Sequence, residues 1–458
     1  MLRCLLLLCV APLFANLTAQ EVPPGTRPVM TVQGQEFFTW DEYKRSDLFR
    51  DAGLRCQTEH PEGAAYASAD PSDCTYNFTN PSQEYAPTTI IEIPVVMHCM
   101  FASDGTGFVP EAAMVSQVQQ LNERFRAFAG GVGGMGNDTM IQFHLATEDE
   151  FGNPSTGIDY RQNDQFFNDG GQYWNSLAWD TNRYLNIYMN NAAGFLGYVP
   201  FLPQQGGGVA GNPADRVVLL WSTVGASAPI GFPYDQGTIA AHEVGHYLGL
   251  FHTFQGGCHH PVGCASKGDR VCDTNPSSSS AFVCNPINSC GVPDPFENYM
   301  SYGDPCMTEF SPEQILRMRC SIEHYRPDLG LSEPAGTWAD LGGGTSGSNG
   351  SPTLEGGGLL LAGSVATVDL QAAPPNASLL LWISLTSTPI NVLGGTVHAV
   401  PFAAQIPFVA DGSGDFSAFT TWPDGVPPGT QSWFQFLVQD ATVPGGITLS
   451  NGLKATAP

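Results

Sequence analysis

Apolar and polar positions alternate in several rhythms along the chain, and each rhythm predicts an element. From Thr88 the run TTIIEIPVVMHCMF is apolar and rich in β-branched residues, long enough for a central strand. Residues 110–126 follow, where Met114, Val118, Leu121 and Phe125 are spaced by 4, 3 and 4. That spacing makes one apolar helix face, with Pro110 at a permitted start. Further strands are expected at 141–147, 184–190 and 216–224, and further helices at 237–250 and 312–324, the last capped by Ser311. A strand–helix–strand–strand order feeding another helix predicts an α+β unit.

Towards the C-terminus the rhythm shortens. Apolar runs at 364–370, 378–385, 398–402 and 432–439 are separated by Pro/Gly turns, the cadence of a small antiparallel β-sandwich. Its histidine, His398, is expected to be an ordinary strand residue. Before it, LGGGTSGSNGSPTLEGGG at 341–358 has the composition of a flexible linker. At the other end, residues 20 to about 85 are polar and weakly periodic, and are expected to form a poorly packed leader. Ahead of them Arg3, the apolar run at 5–14 and small residues up to Ala19 match a secretory signal peptide.

Composition narrows the function classes. The chain has 458 residues, 42% of them hydrophobic, enough for sizeable cores. With 17 Lys+Arg against 43 Asp+Glu the net charge is −26, which repels phosphate backbones, so no nucleic-acid partner is expected. No later stretch reaches the ~18 apolar residues of a membrane span. Ten of the 12 cysteines lie beyond the signal segment, mostly between Cys258 and Cys320. In an exported protein they read as disulfides pinning a long irregular segment, and no paired C-x-x-C spacing supports a zinc knuckle.

The segment that carries chemistry is His242-Glu243-Val244-Gly245-His246-Tyr247-Leu248-Gly249-Leu250-Phe251-His252. On a helix His242 and His246, four apart, project side by side and can share one Zn²⁺ at ~2.0–2.1 Å. Glu243 lies where its carboxylate can reach a water on the metal instead of the metal itself. In a continuous helix His252 would point elsewhere, ~15 Å along the axis from His242. A chain reversal at Gly249, which accepts positive φ, can bring it back as third ligand. Three protein ligands leave one position open, the mark of a catalytic site. At this composition HExxH arises by chance in about one such chain in a hundred, and the full HExxHxxGxxH in only a few per hundred thousand.

The long motif resembles that of the metzincin zinc peptidases. Asn298-Tyr299-Met300-Ser301-Tyr302 follows at the distance of a methionine turn. With HTFQGGC, GDRVCDT at 268–274 and CMTEFSPEQILRMR at 306–319, the chain resembles the pappalysin family over roughly residues 88–328. The resemblance implies a secreted zinc endopeptidase acting on protein or peptide substrates, with His242, His246 and His252 as zinc ligands and Glu243 as general base. It implies Met300 beneath the metal, Tyr302 stabilising the tetrahedral intermediate, and disulfides Cys258–Cys290 and Cys284–Cys306. It also implies structural Ca²⁺ at Asp269 and Thr274, which Asp273 could join, and a preference for basic residues after the scissile bond, for which Asp304 is the candidate reader. Cys264 and Cys272 depart from the family pattern and could bridge each other; Cys99 and Cys320 form another candidate pair. In the leader, Leu54-Arg55-Cys56-Gln57-Thr58 resembles a pro-segment motif whose thiolate caps the zinc; a Cys56–Cys74 disulfide would remove that thiolate, and both readings stand.

The expected division is signal peptide 1–19, pro-segment 20–86, metzincin-like catalytic domain 87–335, Gly/Ser linker 336–358 and all-β sandwich 359–458, in a monomer. The competing expectation is an exported surface-binding or adhesion protein with a non-catalytic metal site. The intact Glu243 and the open coordination position argue against it.

Overall fold

The computed structural model describes residues 27–51, 54–58, 74, 82–128, 131–204, 209–258, 264, 268–279, 284–285, 287–329, 336–361, 364–423, 426–427 and 429–458. The expected signal peptide lies outside them.

Where it is described, the leader is packed and not loose. It forms β1 (Met30–Val32), β2 (Gln35–Phe37), α1 (Trp40–Arg45) and α2 (Asp47–Asp51). Thr39 and Glu42 close a capping box at the start of α1. Met30, Phe37, Tyr43, Phe49 and Leu54 belong to the same core as the central strands. Its apolar residues are few but include large aromatics, each burying ~150–250 Å², so low average hydrophobicity hid a sufficient anchor.

The mixed α/β half follows: β3 (Ile91–Phe101), α3 (Glu111–Phe125), β4 (Ile141–Leu145), β5 (Ile158–Gln162), α4 (Asp164–Phe167), α5 (Trp174–Leu177), β6 (Leu185–Asn190), β7 (Gly197–Tyr198), β8 (Val217–Leu220), α6 (Thr238–Tyr247) and α7 (Pro312–Tyr325). The sheet runs β4-β3-β6-β8-β7, with β5 beside the far half of β3. All pairs are parallel except edge strand β7, which is antiparallel to β8. The long apolar run is therefore the sheet's centre, buried along most of its length, as parallel strands covered on both faces require. Helices α3 and α6 pack on each other and on this sheet. β5 is largely exposed and carries no apolar rhythm, which is why the pattern did not announce it.

Residues 336–358 are not a linker. They contain β9 (Thr337–Gly342) and β10 (Thr353–Gly357), strands of the sandwich itself. The sandwich continues with β11 (Val365–Gln371), β12 (Ser378–Ser384), β13 (Ile390–Val392), β14 (Gly395–Val397), β15 (Ala404–Val409), β16 (Phe416–Thr421), β17 (Gln431–Gln439), β18 (Ile447–Leu449) and β19 (Gly452–Thr456). Its sheets are β10-β11-β16 and β15-β12-β17-β19-β9, with β18 also on β17. Glycines there permit close packing: a Cβ on Gly356 would lie 2.2 Å from the Trp338 ring. The expected strand at 398–402 is a loop after β14, where Pro401 has no amide hydrogen for a ladder, so His398 is not a strand residue. The halves touch where Phe128 stacks on Phe419, ring centroids 4.0 Å apart, and Gln119 Nε2 donates to Thr421 Oγ1 at 3.0 Å.

Candidate active site

Helix α6 is buried at every residue, so each of its polar side chains must find a partner or a purpose. Its start is held by Arg124, which donates to Gln236 O at 2.6 Å and Thr238 Oγ1 at 3.1 Å. Its end is a Schellman turn: Leu250 N–H donates to Gly245 O at 3.0 Å and Gly249 N–H to His246 O at 2.9 Å. Gly249 has φ +94, and a Cβ there would fall 2.4 Å from Ser321 Oγ. Backbone conformation and space thus both demand glycine at this reversal. Gly249 O accepts from Arg317 Nε at 2.7 Å and Gln204 Nε2 at 3.1 Å, and the Arg317 guanidinium lies 5.0 Å from the Phe251 ring centroid. These contacts fix the chain that returns His252.

The result is three imidazoles around one point. The Nε2 atoms of His242, His246 and His252 lie 3.1–3.2 Å from one another. His242 Nδ1 is 2.6 Å from Tyr299 O and His246 Nδ1 is 2.8 Å from Leu250 O. A carbonyl can only accept, so both Nδ1 atoms carry the hydrogen and both Nε2 lone pairs face the shared point. Burial pushes the His246 pKa down to about 3, so the ring is neutral. Converging lone pairs repel unless a cation lies between them. Tetrahedral Zn²⁺ with bonds of ~2.0–2.1 Å would set its nitrogens ~3.3 Å apart, so the donor set fits that ion.

Met300 is fully buried beneath the helix: a Cβ on Gly245 would meet its Sδ at 2.5 Å. Asn298 shapes this turn, accepting from Met300 N–H at 3.0 Å through its side chain. Tyr302 Oη lies 3.3 Å from His252 Nε2.

The leader crosses this site. Leu196 N–H donates to Leu54 O at 3.0 Å and Gln57 N–H to Gly197 O at 3.2 Å, so the segment runs along edge strand β7 in the same direction. Cys56 Sγ joins the three histidines in the one grouping, among the described residues, of three or more metal-capable His, Cys, Asp or Glu side chains. The thiol and Thr58 Oγ1 each lie 3.4 Å from Glu243 Oε2. Burial raises the Glu243 pKa to about 8, opposed by the nearby Arg55. Arg55 Nε donates to Asp304 Oδ2 at 2.8 Å, both side chains out of solvent, and its guanidinium is 5.3 Å from the Tyr302 ring centroid. Arg55 and Thr58 stood in the quoted pro-segment motif without a role of their own, and Gln204 and Arg317 were not foreseen. For Arg55 a signal existed: a lone cation beside Cys56 in a strongly acidic chain.

Two expectations about cysteine are corrected. Cys74 pairs with Cys320, not with Cys56, and Cys99 does not reach Cys320. Cys99 Sγ accepts from Val109 N–H at 3.3 Å, turned towards the loop after β3. Disulfides Cys258–Cys290, Cys264–Cys272 and Cys284–Cys306 staple the segment after His252. The expected calcium ion gains no support. Thr274 Oγ1 donates to Asp269 Oδ2 at 2.5 Å, and Asp273 is engaged at the start of α7, accepting from Ser311 Oγ at 2.6 Å and Glu313 N–H at 2.8 Å.

The chain is similar to known proteins over about half of its length. The peptidase M43 family model, described as pregnancy-associated plasma protein-A, matches residues 172–323. Extracellular metalloprotease 1 of Coccidioides posadasii is 31% identical over 246 residues, 52% of this chain and 78% of the relative. An extracellular metalloprotease of Colletotrichum graminicola is 30% identical over 250 residues, covering 53% and 79%. Among solved structures, a promirolysin variant from Tannerella forsythia is 29% identical with TM-score 0.45, covering 54% of this chain and 86% of its own. Among the described residues no helix is long and apolar enough to cross a membrane. The chain belongs to the pappalysin-like M43 peptidases, and it is a zinc metalloendopeptidase.

Proposed function

We propose that this is a secreted endopeptidase held latent by its own leader, and that it cuts peptide bonds followed by a basic residue. The observation that carries the reading is the buried Arg55–Asp304 pair beside Cys56 and the three imidazoles. A cation on the leader occupies the pocket that a substrate's arginine would enter, while the thiol occupies the position a water needs. The extracellular names of the relatives support secretion.

Zinc held by His242, His246 and His252 supplies, when bound, a Lewis acid that acidifies water and polarises the scissile carbonyl. Glu243, freed of Cys56 and Thr58, takes the proton of the attacking water and returns it to the leaving amine. The Tyr302 hydroxyl, already within hydrogen-bond range of the His252 ring, donates to the developing oxyanion. Asp304, left buried without Arg55, requires a replacement cation, which is the physical source of selectivity for Arg or Lys. The leader extends to about residue 86, the catalytic unit spans 87–335, and the sandwich begins at 336 with β9.

The test uses peptides that differ only in the residue after the scissile bond. Glu243→Gln in an otherwise activated protein should retain about one zinc per chain and lose about 10²–10⁴-fold in rate. Asp304→Ala should lower kcat/KM by about 10²–10³-fold for arginine peptides and little for norleucine peptides. Cys56→Ala combined with Arg55→Ala should raise activity before any processing. Full activity in Glu243→Gln would refute the base, and an unchanged preference in Asp304→Ala would refute the pocket.

A further inference from the structure

We infer that Asp169 is the anchor of the peptide-binding edge, and that it positions the Glu243 carboxylate through Tyr198, strand β7 and Gly197. The inference rests on Glu243 as the base proposed above, and assigns what holds that base once the latch is lifted.

Glu243 is fully buried, and its carboxylate has hydrogen-bond partners only in the leader among the described residues: Cys56 Sγ and Thr58 Oγ1 on Oε2, and none on Oε1. Without the leader, packing must orient it. A Cβ on Gly197 would fall 2.7 Å from Glu243 Cγ and 3.0 Å from Oε1, so the bare backbone of β7 is the wall against which the base rests. The same stretch takes the peptide. Leu196 N–H donates to Leu54 O, Gly197 O accepts from Gln57 N–H, and Val199 N–H donates to Thr58 Oγ1 at 2.8 Å. One short strand therefore sets both where a bound chain lies and where the base stands.

β7 has only two residues, Gly197 opposite Leu219 and Tyr198 opposite Val218, so its own ladder holds it weakly at the sheet edge. Side chains alternate along a strand, so with Gly197 turned to Glu243, Tyr198 points the other way. Its buried hydroxyl donates to Asp169 Oδ2 at 2.7 Å. Oδ1 of the same carboxylate accepts from Tyr173 Oη at 2.8 Å and Asn190 Nδ2 at 2.9 Å. Asn190 ends β6 and Tyr173 precedes α5, so one carboxylate ties the edge strand to the middle of the sheet and to a covering helix. Bonds to an ionised acceptor are about twice as strong as neutral ones. Arg216 backs the cluster, its guanidinium 3.7 Å from the Trp174 ring centroid and 5.5 Å from that of Tyr173. Asp169 itself has φ +58, an uncommon conformation that Asp tolerates and these bonds hold. Asp169 and Tyr198 touch neither the metal site nor the bound chain, and act as positioning residues.

The test places Asp169→Ala, Asp169→Asn, Tyr198→Phe and Gly197→Ala in the full chain carrying Arg55→Ala and Cys56→Ala. Asp169→Ala and Tyr198→Phe should each lower kcat/KM by about 10–10²-fold, the range of a hydrogen bond to a charged group. KM should rise only for peptides long enough to lie along β7, whereas kcat should fall for every peptide, with zinc near one per chain. The two changes combined should lose little more than either alone. Asp169→Asn, which keeps an acceptor, should recover part of the loss. Gly197→Ala should lower kcat by about 10²-fold or more, and add nothing to the loss in Glu243→Gln. A second readout does not depend on turnover: with the leader unaltered, amide exchange at residues 196–199 should quicken about 10-fold in Asp169→Ala and Tyr198→Phe. Unchanged kinetics, or unchanged exchange, in these two variants would overturn the anchor, even if their melting temperatures fall. A further loss from Gly197→Ala in the Glu243→Gln chain would overturn the link to the base. Full activity in Glu243→Gln would instead remove the base reading and that link with it, leaving Asp169 as an anchor of the peptide edge alone.

Discussion

Around α6 the interior of the peptidase half holds charge: Arg55 with Asp304, Glu243 beside a thiol, Arg317 on Gly249, and Arg326 with Asp215. The sandwich interior is built from Leu354, Leu370, Leu379, Leu381, Phe436, Val438 and Leu453, and Asp440 is its one buried carboxylate among the described residues. Both halves bury apolar surface, and among the described residues only the peptidase half also buries pairs of opposite charge. Ions in a core are costly unless geometry pairs them, and replacing such pairs by apolar residues is often neutral or stabilising. Their concentration around α6 therefore marks where the protein holds groups for chemistry, and the ordinary core of the sandwich shows what the same chain does without that demand.

The largest expected effect tests whether the halves depend on different forces. Arg326 holds Asp215 through two hydrogen bonds, of 2.9 and 2.6 Å, and its third nitrogen donates to Tyr247 O at the end of α6. Arg326→Met leaves a buried carboxylate alone and should cost about 3–5 kcal/mol in the peptidase half. Its mirror image, Phe436→Ala, should cost about 3–5 kcal/mol in the sandwich while leaving peptidase activity intact. Calorimetry should resolve the two losses as separate shifts; a common shift for both variants would mean one cooperative unit and break the comparison.

Next in size is Gly249→Ala, expected to cost about 1–3 kcal/mol through its positive φ, with a faster loss of zinc to a chelator because the path to His252 is disturbed. If Gly249→Ala lowers the melting temperature without faster zinc release, the turn is structural only. The smallest effect is at the contact between halves. Phe128→Ala should remove about 1 kcal/mol of stacking against Phe419, read as a reduced coupling between the two transitions.

Much of the site was legible because helical spacing is local. His242 and His246 share a face whatever surrounds them, and the glycine required at 249 could be read from the need to bring His252 back. Segments judged by average composition were less legible. The leader and residues 336–358 are polar or glycine-rich, yet each supplies strands to a core, because a few well-placed aromatics or a paired backbone suffice. Disulfide partners were legible only in part, since proximity of sulfurs is a property of the folded chain, as the pairing of Cys74 with Cys320 makes plain.

By itself the sequence determined the metal-binding helix, the net charge, and the order of the main apolar strands and helices around it, since these follow from periodicity and side-chain chemistry at short range. Tertiary structure alone decided that Arg55 would meet Asp304 across 249 positions, that Cys56 would lie over the three imidazoles, and that α7 would be tied to the leader. Those contacts join residues remote in the chain, and no local pattern encodes a distance that only the packed core creates.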